Sequence, residues 1–439
     1  MGAPLKRPGA RRAADDHLRE LAELTDTAGA IIAGELVQQI DRPHPATYLG
    51  SGKIEELRDR VAEIDATLVI FDDELSPTQG KNIEDAIGRR VMDRAELILD
   101  IFATRARSSE AKMQVELAQL EYMLPRLTRM WTHLEKFRGG IGMRGPGETQ
   151  LETDRRLISH RIKILKERLR DVQRGRAIQR QARQSEFKAS LVGYTNAGKS
   201  SILRALSGAA EVFVENRLFA TLDPLTREVD LGDHSTVLLT DTVGFIRKLP
   251  HHLVASFRAT LEETREADLL LHVIDVSSPS WEEQRTVVEQ VLDDLGVNDR
   301  PKLFVFNKID LLDDVSLVAV EERVRSVVPA SVFVSSVADG GLDPLRRALA
   351  TATRARRPLS EIRMSPADGR LLAEIHRGAE VLGQRMEGER LIIDARVDDA
   401  LAGRIRRAGA EVTTRSDSRT IESDSRTVRQ SDRNSNGRR

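Results

Sequence analysis

Four residues near the middle of the chain have the types and spacing of a phosphate-binding loop. The stretch GYTNAGKSS begins at Gly193 and carries Gly198, Lys199 and Ser200 in the order G-x-x-x-x-G-K-S. In such a loop the glycines let backbone N–H groups point at phosphates, the lysine brings a positive charge to the terminal phosphates, and the serine hydroxyl binds Mg²⁺. The loop follows the apolar run KASLV and precedes a helical pattern, which is the context that this motif requires. We therefore predict a nucleotide site here; the alternative is a chance glycine-rich turn.

A second motif, DTVGF, ends in a residue that is unusual for a phosphate-cleaving site. Asp241 closes an apolar run, from where its carboxylate reaches the Mg²⁺ shell, and Gly244 offers an N–H to the γ-phosphate. Ras-like switches carry next a glutamine that orients the attacking water, but this chain has Phe245, which cannot do so. Two interpretations stay open: a partner or another element completes the site, or a polar group from elsewhere in this chain does. Both predict slow hydrolysis by the chain alone.

The base is indicated by the stretch NKID, which follows the apolar run KLFVF. The carboxylate of Asp310 only accepts hydrogen bonds, so it matches the N1–H and N2–H₂ donors of guanine and finds no such pair on adenine. GTP is therefore predicted as the substrate rather than ATP. A backbone N–H of the stretch Ser335-Ser336-Val337 could touch the guanine oxygen, although these residues are nearly uninformative by themselves.

Two threonines in FATLDPLTREV could bind Mg²⁺ and sense the γ-phosphate. We predict Thr221 for this role over Thr226; the alternative is an ordinary surface-loop threonine. Catalytic roles are thus assigned to Lys199, Thr221 and Gly244, and Mg²⁺ ligation to Ser200 and Thr221. The predicted nucleotide-binding residues are Gly193, Tyr194, Thr195, Asn196, Ala197, Gly198, Lys199, Ser200, Ser201, Phe219, Asp241, Thr242, Val243, Gly244, Asn307, Lys308, Asp310, Ser335, Ser336 and Val337.

The bulk composition is that of a multidomain protein without a uniformly basic surface. The 439 residues are 40% hydrophobic, and the formal net charge of -1 requires any RNA-binding surface to be local. Without cysteine, disulfides and cysteine-ligated zinc are excluded, which fits a reducing compartment. We find neither an export signal nor an apolar run of the roughly 20 residues that a membrane span needs, and predict a cytoplasmic location.

Hydrophobic periodicity divides the chain into segments. Strand and helix patterns alternate over 17–107 and again over 187–356, where the near-continuous apolar strands indicate a sheet buried on both faces. Residues 360–410 have the pattern helix, strand, strand, helix. Residues 1–16 and 411–439 are expected to be disordered.

Residues 108–186 have the pattern of two long helices. Apolar residues from Met113 to Leu134, and again from Leu151 to Val172, recur at heptad-compatible intervals. We predict an antiparallel hairpin with a glycine-rich tip at 138–148, and a kink at Pro125 in its first helix. From Glu152 to Arg183 eleven basic residues oppose four acidic ones, which favours RNA binding if this face is exposed; a solvated helix face is the alternative.

The helical and glycine-rich stretches, together with the nucleotide motifs, resemble the HflX family of GTPases over residues 20 to 410. They include ATYLGSGKIEEL, SSEAKMQVELAQLEYMLPRL, GGIGMRGPGETQLETDRR and DTVGFIRKLPHHLVASFRATLEE. The resemblance implies a GTPase that binds the large ribosomal subunit and splits stalled ribosomes under stress, with hydrolysis stimulated by the ribosome. Its tip loop resembles the element that reaches toward the peptidyl transferase centre. The fold class expected is α/β: a P-loop GTPase domain preceded by a small α/β domain with a long antiparallel helical hairpin, and followed by a small α+β domain.

Two departures from the family and several open alternatives accompany this resemblance. Residues 1–16 offer no apolar first strand, and the tail after 412 matches nothing in the family. Asn196 resembles an asparagine that helps related GTPases to hold K⁺, so a K⁺ ion is allowed beside Mg²⁺. GSGK at Gly50 to Lys53 is not a phosphate loop, although ATP binding by this domain stays a minor alternative. We expect a monomer; the rival functions are an RNA-remodelling protein unrelated to the ribosome and a module that regulates a protein partner.

Overall fold

A computed structural model of the chain describes residues 1–4, 10–127, 146–181, 186–208, 217–232, 235–249, 264–328 and 330–414. The chain divides into two compact units. The first comprises Met1–Arg183, Lys188–Arg227 and Leu239–Leu342, and the second comprises Gln184–Phe187, Glu228–Leu238 and Asp343–Arg439. The N-terminal, helical and most of the nucleotide-binding segments therefore lie within one unit.

The N-terminal part of the first unit is a small α/β layer. Strands β1 and β2 run parallel and pair from Leu68 with Arg90 to Phe71 with Asp93. Apolar residues of both strands and of helices α2 and α3 share one core, in which Leu49 is fully buried. The elements are α1 (Ala10–Thr27), α2 (Ser51–Glu63), β1 (Leu68–Phe71), α3 (Pro77–Ile87), β2 (Arg90–Asp93) and α4 (Arg94–Arg105).

The start of the chain differs from the prediction of disorder over 1–16. Helix α1 already begins at Ala10, and Gly2 forms a parallel bridge to Val37. The N–H of Gly2 donates to the Leu36 carbonyl at 3.0 Å, and the N–H of Gln38 donates to the Gly2 carbonyl at 3.0 Å. Strand-like pairing is thus present where the sequence offered no apolar run. It is made by backbone hydrogen bonds, which do not require an apolar side-chain pattern.

The helical arm consists of α5 (Ser109–Met123) and α6 (Pro146–Gln181). Leu117 of α5 packs with Leu165 and Leu169 of α6, as the heptad spacing predicts. Pro125 ends α5 rather than kinking it, since the chain passes into a 3-10 turn at Leu124–Arg126. Helix α6 begins inside the predicted tip of 138–148; residues 128–145 lie outside the described part, so the hairpin turn stays a prediction.

The nucleotide-binding part contains a six-stranded sheet in the order β4-β5-β3-β6-β7-β8, in which β3, β6, β7 and β8 pair in parallel. The five strands predicted from apolar runs are confirmed, and β4 is additional. The elements are β3 (Lys188–Gly193), α7 (Lys199–Ser207), β4 (Leu225–Gly232), β5 (Ser235–Asp241), β6 (Leu269–Asp275), α8 (Trp281–Asp294), β7 (Lys302–Asn307), α9 (Asp314–Val327), β8 (Ser331–Phe333) and α10 (Asp343–Arg356).

Within the first unit, the N-terminal helices, the first helix of the arm and the loops of the nucleotide site share a single hydrophobic core. Side chains from α1, α4 and α5 pack with residues from the phosphate-binding loop, the FATLDP stretch and the DTVGF motif. Phe102 of α4, for example, meets Phe219 edge to face with ring centroids 4.6 Å apart. Sequence reasoning, which placed a boundary at 107, did not anticipate this common core.

The second unit contains a four-stranded antiparallel sheet in the order β10-β11-β9-β12. Its helices and strands enclose a core around Ile362, Ile375 and Ile393. The prediction of a helix, two strands and a helix is therefore correct but incomplete, and the disorder expected from 411 is wrong for 411–414. The elements are β9 (Leu359–Met364), α11 (Gly369–Gly378), β10 (Glu380–Glu387), β11 (Arg390–Arg396), α12 (Asp399–Arg407) and β12 (Glu411–Thr414).

Within the described ranges, every helix is too short or too polar to cross a bilayer.

Candidate functional site

The loop between β3 and α7 has the geometry of a phosphate cradle. Gly198 has φ +95°, and a Cβ there would come within 2.2 Å of Asn307 Nδ2, so both the backbone and the space require glycine. The ammonium of Lys199 is buried and donates to the carbonyls of Gly193 at 3.1 Å and Tyr194 at 2.8 Å. Burial lowers the pKa of Lys199 to about 8, an effect that Asp241 opposes. A phosphate anion beside this ammonium would stabilise its charged form.

Three oxygen-bearing side chains converge at the start of α7. Ser200 Oγ donates to Asp241 Oδ2 at 2.6 Å, and Thr221 Oγ1 donates to the same oxygen at 2.9 Å. The two hydroxyl oxygens are 2.8 Å apart. Burial raises the pKa of Asp241, while Lys199 and the two hydroxyls lower it. The other carboxylate oxygen, Oδ1, is buried without a hydrogen-bond partner in the described part of the chain.

This donor set fits a hard divalent cation. Hydroxyl and carboxylate oxygens are the ligands that Mg²⁺ prefers, and an orphaned buried carboxylate oxygen is a group that a cation or its water would satisfy. Thr226 lies elsewhere, because its hydroxyl pairs with Thr240 Oγ1 at 2.8 Å. The structure thus brings Thr221, and not Thr226, beside Ser200 and Asp241.

The backbone of DTVGF is paired with the phosphate-binding loop. Phe245 N–H donates to the Gly193 carbonyl at 3.0 Å, and the Phe245 carbonyl accepts from Thr195 N–H at 2.7 Å. The ring of Phe245 is buried in the shared core, with 1% of its surface exposed. A Cβ on Gly244 would lie 2.6 Å from Thr195 Cα, so the backbone of this motif lies directly on the loop. Thr242 is tied down as well, since its hydroxyl donates to the Leu191 carbonyl at 2.7 Å.

The base-recognition residues meet at the ends of β7 and β8. Asn307 is fully buried and donates to the Ala197 carbonyl at 2.9 Å, while its side-chain oxygen accepts from Ser336 N–H at 3.2 Å. Asp310 accepts from Ser335 Oγ at 2.6 Å, which orients the carboxylate. Lys308, at φ +67°, forms an ion pair with Asp275 at 2.7 Å. These links hold the NKID stretch and the phosphate-binding loop together.

The remaining predicted residues fall into two groups. Thr195, Asn196, Ser201 and Phe219 line one cavity together with Lys199, Ser200, Thr221, Thr242 and Gly244. Val243 is buried in the shared core, and Val337 is 76% exposed near the base-recognition residues. Asn196 has φ +59°, which turns the loop at this point. The predicted set is thus gathered around one site, with Val243 contributing packing.

Sequence reasoning missed the side chains that join this site to α1. Tyr194 donates its hydroxyl hydrogen to Glu20 at 2.5 Å and accepts from the N–H of Arg247 at 2.9 Å. Glu20 also forms ion pairs with Arg247 at 3.3 Å and with Arg94. Burial and the Glu20 carboxylate raise the pKa of Tyr194, so the phenol keeps its proton. The signal available was the basic pair Arg247-Lys248, which is separated from the DTVGF motif by one residue, but nothing in the sequence assigns its partners.

A phosphate cradle, an oxygen donor set at its first helical turn and a guanine-selective aspartate at the carboxyl end of a parallel sheet define a P-loop GTPase. Three family models cover most of the chain: a GTP-binding GTPase N-terminal domain over 15–103, a GTP-binding GTPase middle region over 105–183 and a 50S ribosome-binding GTPase over 188–308. The chain belongs to the HflX family of GTPases. It is therefore a GTP hydrolase.

Curated relatives match over most of their length. The GTPase HflX of Caldanaerobacter subterraneus is 51% identical over 76% of this chain and 76% of its own. That of Magnetococcus marinus is 46% identical over 91% of this chain and 93% of its own. The protein of the same name from Escherichia coli is 44% identical over 85% of this chain and 87% of its own.

Proposed function

We propose that this GTPase binds the large ribosomal subunit in the cytoplasm, splits stalled ribosomes under stress, and hydrolyses GTP slowly until the ribosome stimulates it. The description of the matching nucleotide-binding family as a 50S ribosome-binding GTPase supports the choice of partner. The resemblance of the helical and glycine-rich stretches supports the ribosome-splitting role. We further propose that the chain acts as a monomer.

The observation that carries the proposal is the burial of Phe245. The position that would orient water is occupied by a ring with 1% exposure, and both its backbone groups are bonded to the phosphate-binding loop. A water-orienting or charge-stabilising group supplied by a partner is worth about 10³–10⁵ in turnover in other GTPases. Because Phe245 cannot orient water, a group of this kind supplied by the ribosome would raise turnover at this site.

The chain's own residues perform the rest of the chemistry. Lys199 and the N–H of Gly244 bind the terminal phosphate and stabilise the charge that develops on its oxygens. Ser200, Thr221 and Asp241 would hold Mg²⁺, which would neutralise negative charge on the phosphates. We include K⁺ in the proposal, with Asn196 as the residue that would help to hold it. Equal turnover in Na⁺ and K⁺ buffers would remove K⁺ from the proposal.

The arm supplies a surface suited to RNA. Several basic residues on α6 are exposed, and those that face α5 are neutralised, as in the pair of Arg161 with Glu116 at 2.6 Å. Exposed cations next to an RNA backbone release counterions and bind in a salt-dependent way. Helix α6 is therefore the proposed contact with ribosomal RNA.

The test is GTP turnover by the full chain with and without purified large subunits. We expect subunits to raise turnover roughly tenfold or more, because they complete the site. The Asp310→Asn variant controls for GTPases that contaminate the subunits, since its amide should favour xanthosine triphosphate over GTP. Equal turnover with and without subunits would contradict the proposal, as would stimulation of GTP cleavage that survives Asp310→Asn.

A further inference from the structure

The carboxylate of Asp223 is bound at the N-terminus of α5, the first helix of the arm. Its Oδ2 accepts the backbone N–H of Arg107 at 3.2 Å and that of Ser108 at 3.1 Å, and its Oδ1 accepts the hydroxyl hydrogen of Ser108. A carboxylate is favoured at this end of a helix because the first N–H groups and the helix dipole present positive charge. One side chain of the FATLDP stretch therefore uses three donors of the arm.

Ser108 is also the N-cap of α5. Its hydroxyl oxygen accepts the N–H of Ala111 at 3.0 Å while its hydrogen goes to Asp223. The capping interaction and the Asp223 interaction therefore share one hydroxyl group. A shift of Asp223 changes the first turn of α5 directly.

Asp223 is two residues from Thr221, and the chain between them has little freedom. Leu222 is buried in the shared core, with 3% exposure. Pro224 follows and confines Asp223 to extended backbone conformations. The position of the Thr221 hydroxyl, 2.8 Å from Ser200 Oγ, is consequently tied to the position of the Asp223 carboxylate.

We propose that Asp223 is a positioning residue that holds Thr221 at the metal site by its attachment to Ser108, and that it couples γ-phosphate occupancy to the helical arm. The inference rests on the Mg²⁺ role of Thr221 in the proposed function. With GTP and Mg²⁺ bound, Thr221 would be held at the metal and Asp223 would stay on α5. After hydrolysis Thr221 would be released from the metal, and the interaction of Asp223 with α5 would weaken.

Contacts between α5 and α6 connect the Asp223 interaction to the rest of the arm. Helix α5 packs on α6 through Leu117, Leu165 and Leu169. In addition, Arg161 donates two hydrogen bonds to Glu116, at 2.6 Å and 2.9 Å. A change at the first turn of α5 is thus transmitted to the basic helix by direct packing. By linkage, a ligand that stabilises the arm with Asp223 bound to α5 must also tighten the binding of GTP and Mg²⁺.

The experiment measures the affinity of the full chain for a non-hydrolysable GTP analogue and for GDP, both with Mg²⁺. We expect Asp223→Ala and Ser108→Ala each to weaken analogue binding about three- to tenfold, the usual effect of losing such hydrogen bonds. GDP binding should change less than about twofold, because Thr221 is expected to bind the metal only when the γ-phosphate is present. The double variant should be no weaker than Asp223→Ala, since the two groups act as one pair.

Ser76→Ala is the matched control. Ser76, in the N-terminal layer, caps α3 by accepting the N–H of Gln79 at 3.2 Å, and among the described residues no hydrogen bond joins it to Asp223. This variant loses a helix cap of the same type and should leave the ratio of analogue to GDP affinity unchanged. Ser108→Thr, which keeps the hydroxyl, should restore the ratio.

Hydrogen exchange gives a second readout. The amides of Arg107 and Ser108 should exchange more slowly with the analogue than with GDP. Equal protection in both states, an unchanged affinity ratio in Ser108→Ala, or additive effects in the double variant would each overturn the coupling.

Thr221→Ala separates this inference from the function on which it rests. If Thr221→Ala weakens Mg²⁺-dependent analogue binding and Ser108→Ala does not, the metal site stands and the coupling is wrong. If Thr221→Ala has no effect, the proposed metal role of Thr221 is itself wrong, and the coupling is overturned with it.

Discussion

His272 shows how a buried strand tolerates a titratable side chain. It lies on β6 and contacts Phe304, with the two rings tilted by 35° and their centroids 5.3 Å apart. Both ring nitrogens are buried without a hydrogen-bond partner among the described residues. Burial, together with the nearby cations Lys302 and Arg285, lowers the pKa of His272 to about 3. The folded chain therefore holds this imidazole neutral.

This burial predicts a stability that depends on pH. The unfolded chain binds a proton at His272 below its ordinary pKa of 6.5, whereas the folded chain does so only near pH 3. The stability that His272 contributes through this difference is therefore fully present above pH 6.5 and is lost on acidification through this window, by up to about 1.4 kcal/mol per pH unit. His272→Leu should flatten the dependence, as measured by urea unfolding at pH 7.5, 6.0 and 5.0.

His376→Leu is the control, because it removes an exposed histidine by the same substitution. It should leave the slope between pH 7.5 and pH 5.0 as it is in the wild-type chain. A His272→Leu chain that loses stability with acid as steeply as the wild type would show that other groups govern this range.

At this scale the motifs and the long-range contacts were not equally predictable. Lys199, Asp241 and Asp310 could be found because phosphate, metal and guanine each require a particular side chain at a particular distance from a strand end. Glu20 could not, because it meets Tyr194 across 174 residues and a glutamate on a polar helix has no distinctive pattern. The contacts of Asp223 could not be predicted either, because an Asp-Pro pair in a loop is common and does not indicate a partner.

At the scale of elements, a network of buried charges joins the N-terminal layer to the end of the switch motif. The guanidinium of Arg94 is 2% exposed and forms ion pairs with Glu20 and, at 2.8 Å, with Asp72. It also donates to the Arg247 carbonyl at 3.2 Å. Lys248 reaches Asp72 at 2.6 Å. Although burial raises the pKa of Asp72, Arg94 and Lys248 lower it by more, so the carboxylate stays charged.

Removing Arg94 should therefore be costly. Arg94→Ala leaves Glu20 and Asp72 with fewer counter-charges in a buried place, and breaking such a pair costs about 3–5 kcal/mol. Urea unfolding of the full chain at neutral pH measures the loss. Arg90→Ala is the matched control: Arg90 pairs with Glu96 at 2.7 Å but is 61% exposed, and exposed pairs contribute about 0–1 kcal/mol. Equal effects of the two substitutions would contradict the role of the network.

Element prediction succeeded where one physical signal dominated. The five apolar strands were found because a sheet covered on both faces needs near-continuous apolar runs. Helix α3 begins with a capping box formed by Ser76 and Gln79. Strand β4 was missed because its sequence, LTREVDLG, buries only Val229. Residues 1–4 and 411–414 were missed for a similar reason, since edge pairing is made by backbone groups that any sequence provides.

Taken over the full chain, the net charge is -1, yet helix α6 carries a group of exposed basic residues. Exposed basic residues on α6 that form no ion pair with a described carboxylate are Arg155, Arg156, Lys163, Arg168 and Arg170. On the N-terminal layer, by contrast, Arg58, Arg60 and Arg89 pair with acidic neighbours. Each residue of either set carries one positive charge, but only the residues on the N-terminal layer are paired with described carboxylates.

We expect a triple Lys163→Ala, Arg168→Ala, Arg170→Ala chain to bind large subunits more weakly. Each lost phosphate contact should lower the slope of log K against log salt by about 0.7–0.9. Co-sedimentation with a GTP analogue at several salt concentrations measures this slope. The control triple Arg58→Ala, Arg60→Ala, Arg89→Ala should keep the wild-type slope. If both triples behave alike, α6 does not contact the RNA.

The common core of the first unit is completed only late in the synthesis of the chain. The polypeptide leaves the ribosome N-terminus first, so Ile98 and Phe102 are synthesised more than a hundred residues before Phe219 and Phe245, which cover them. Until those residues emerge, the nascent N-terminal segment presents an apolar face that is open to wrong partners. A chain ended near residue 190 during translation would keep that face, and would be a natural substrate for chaperones.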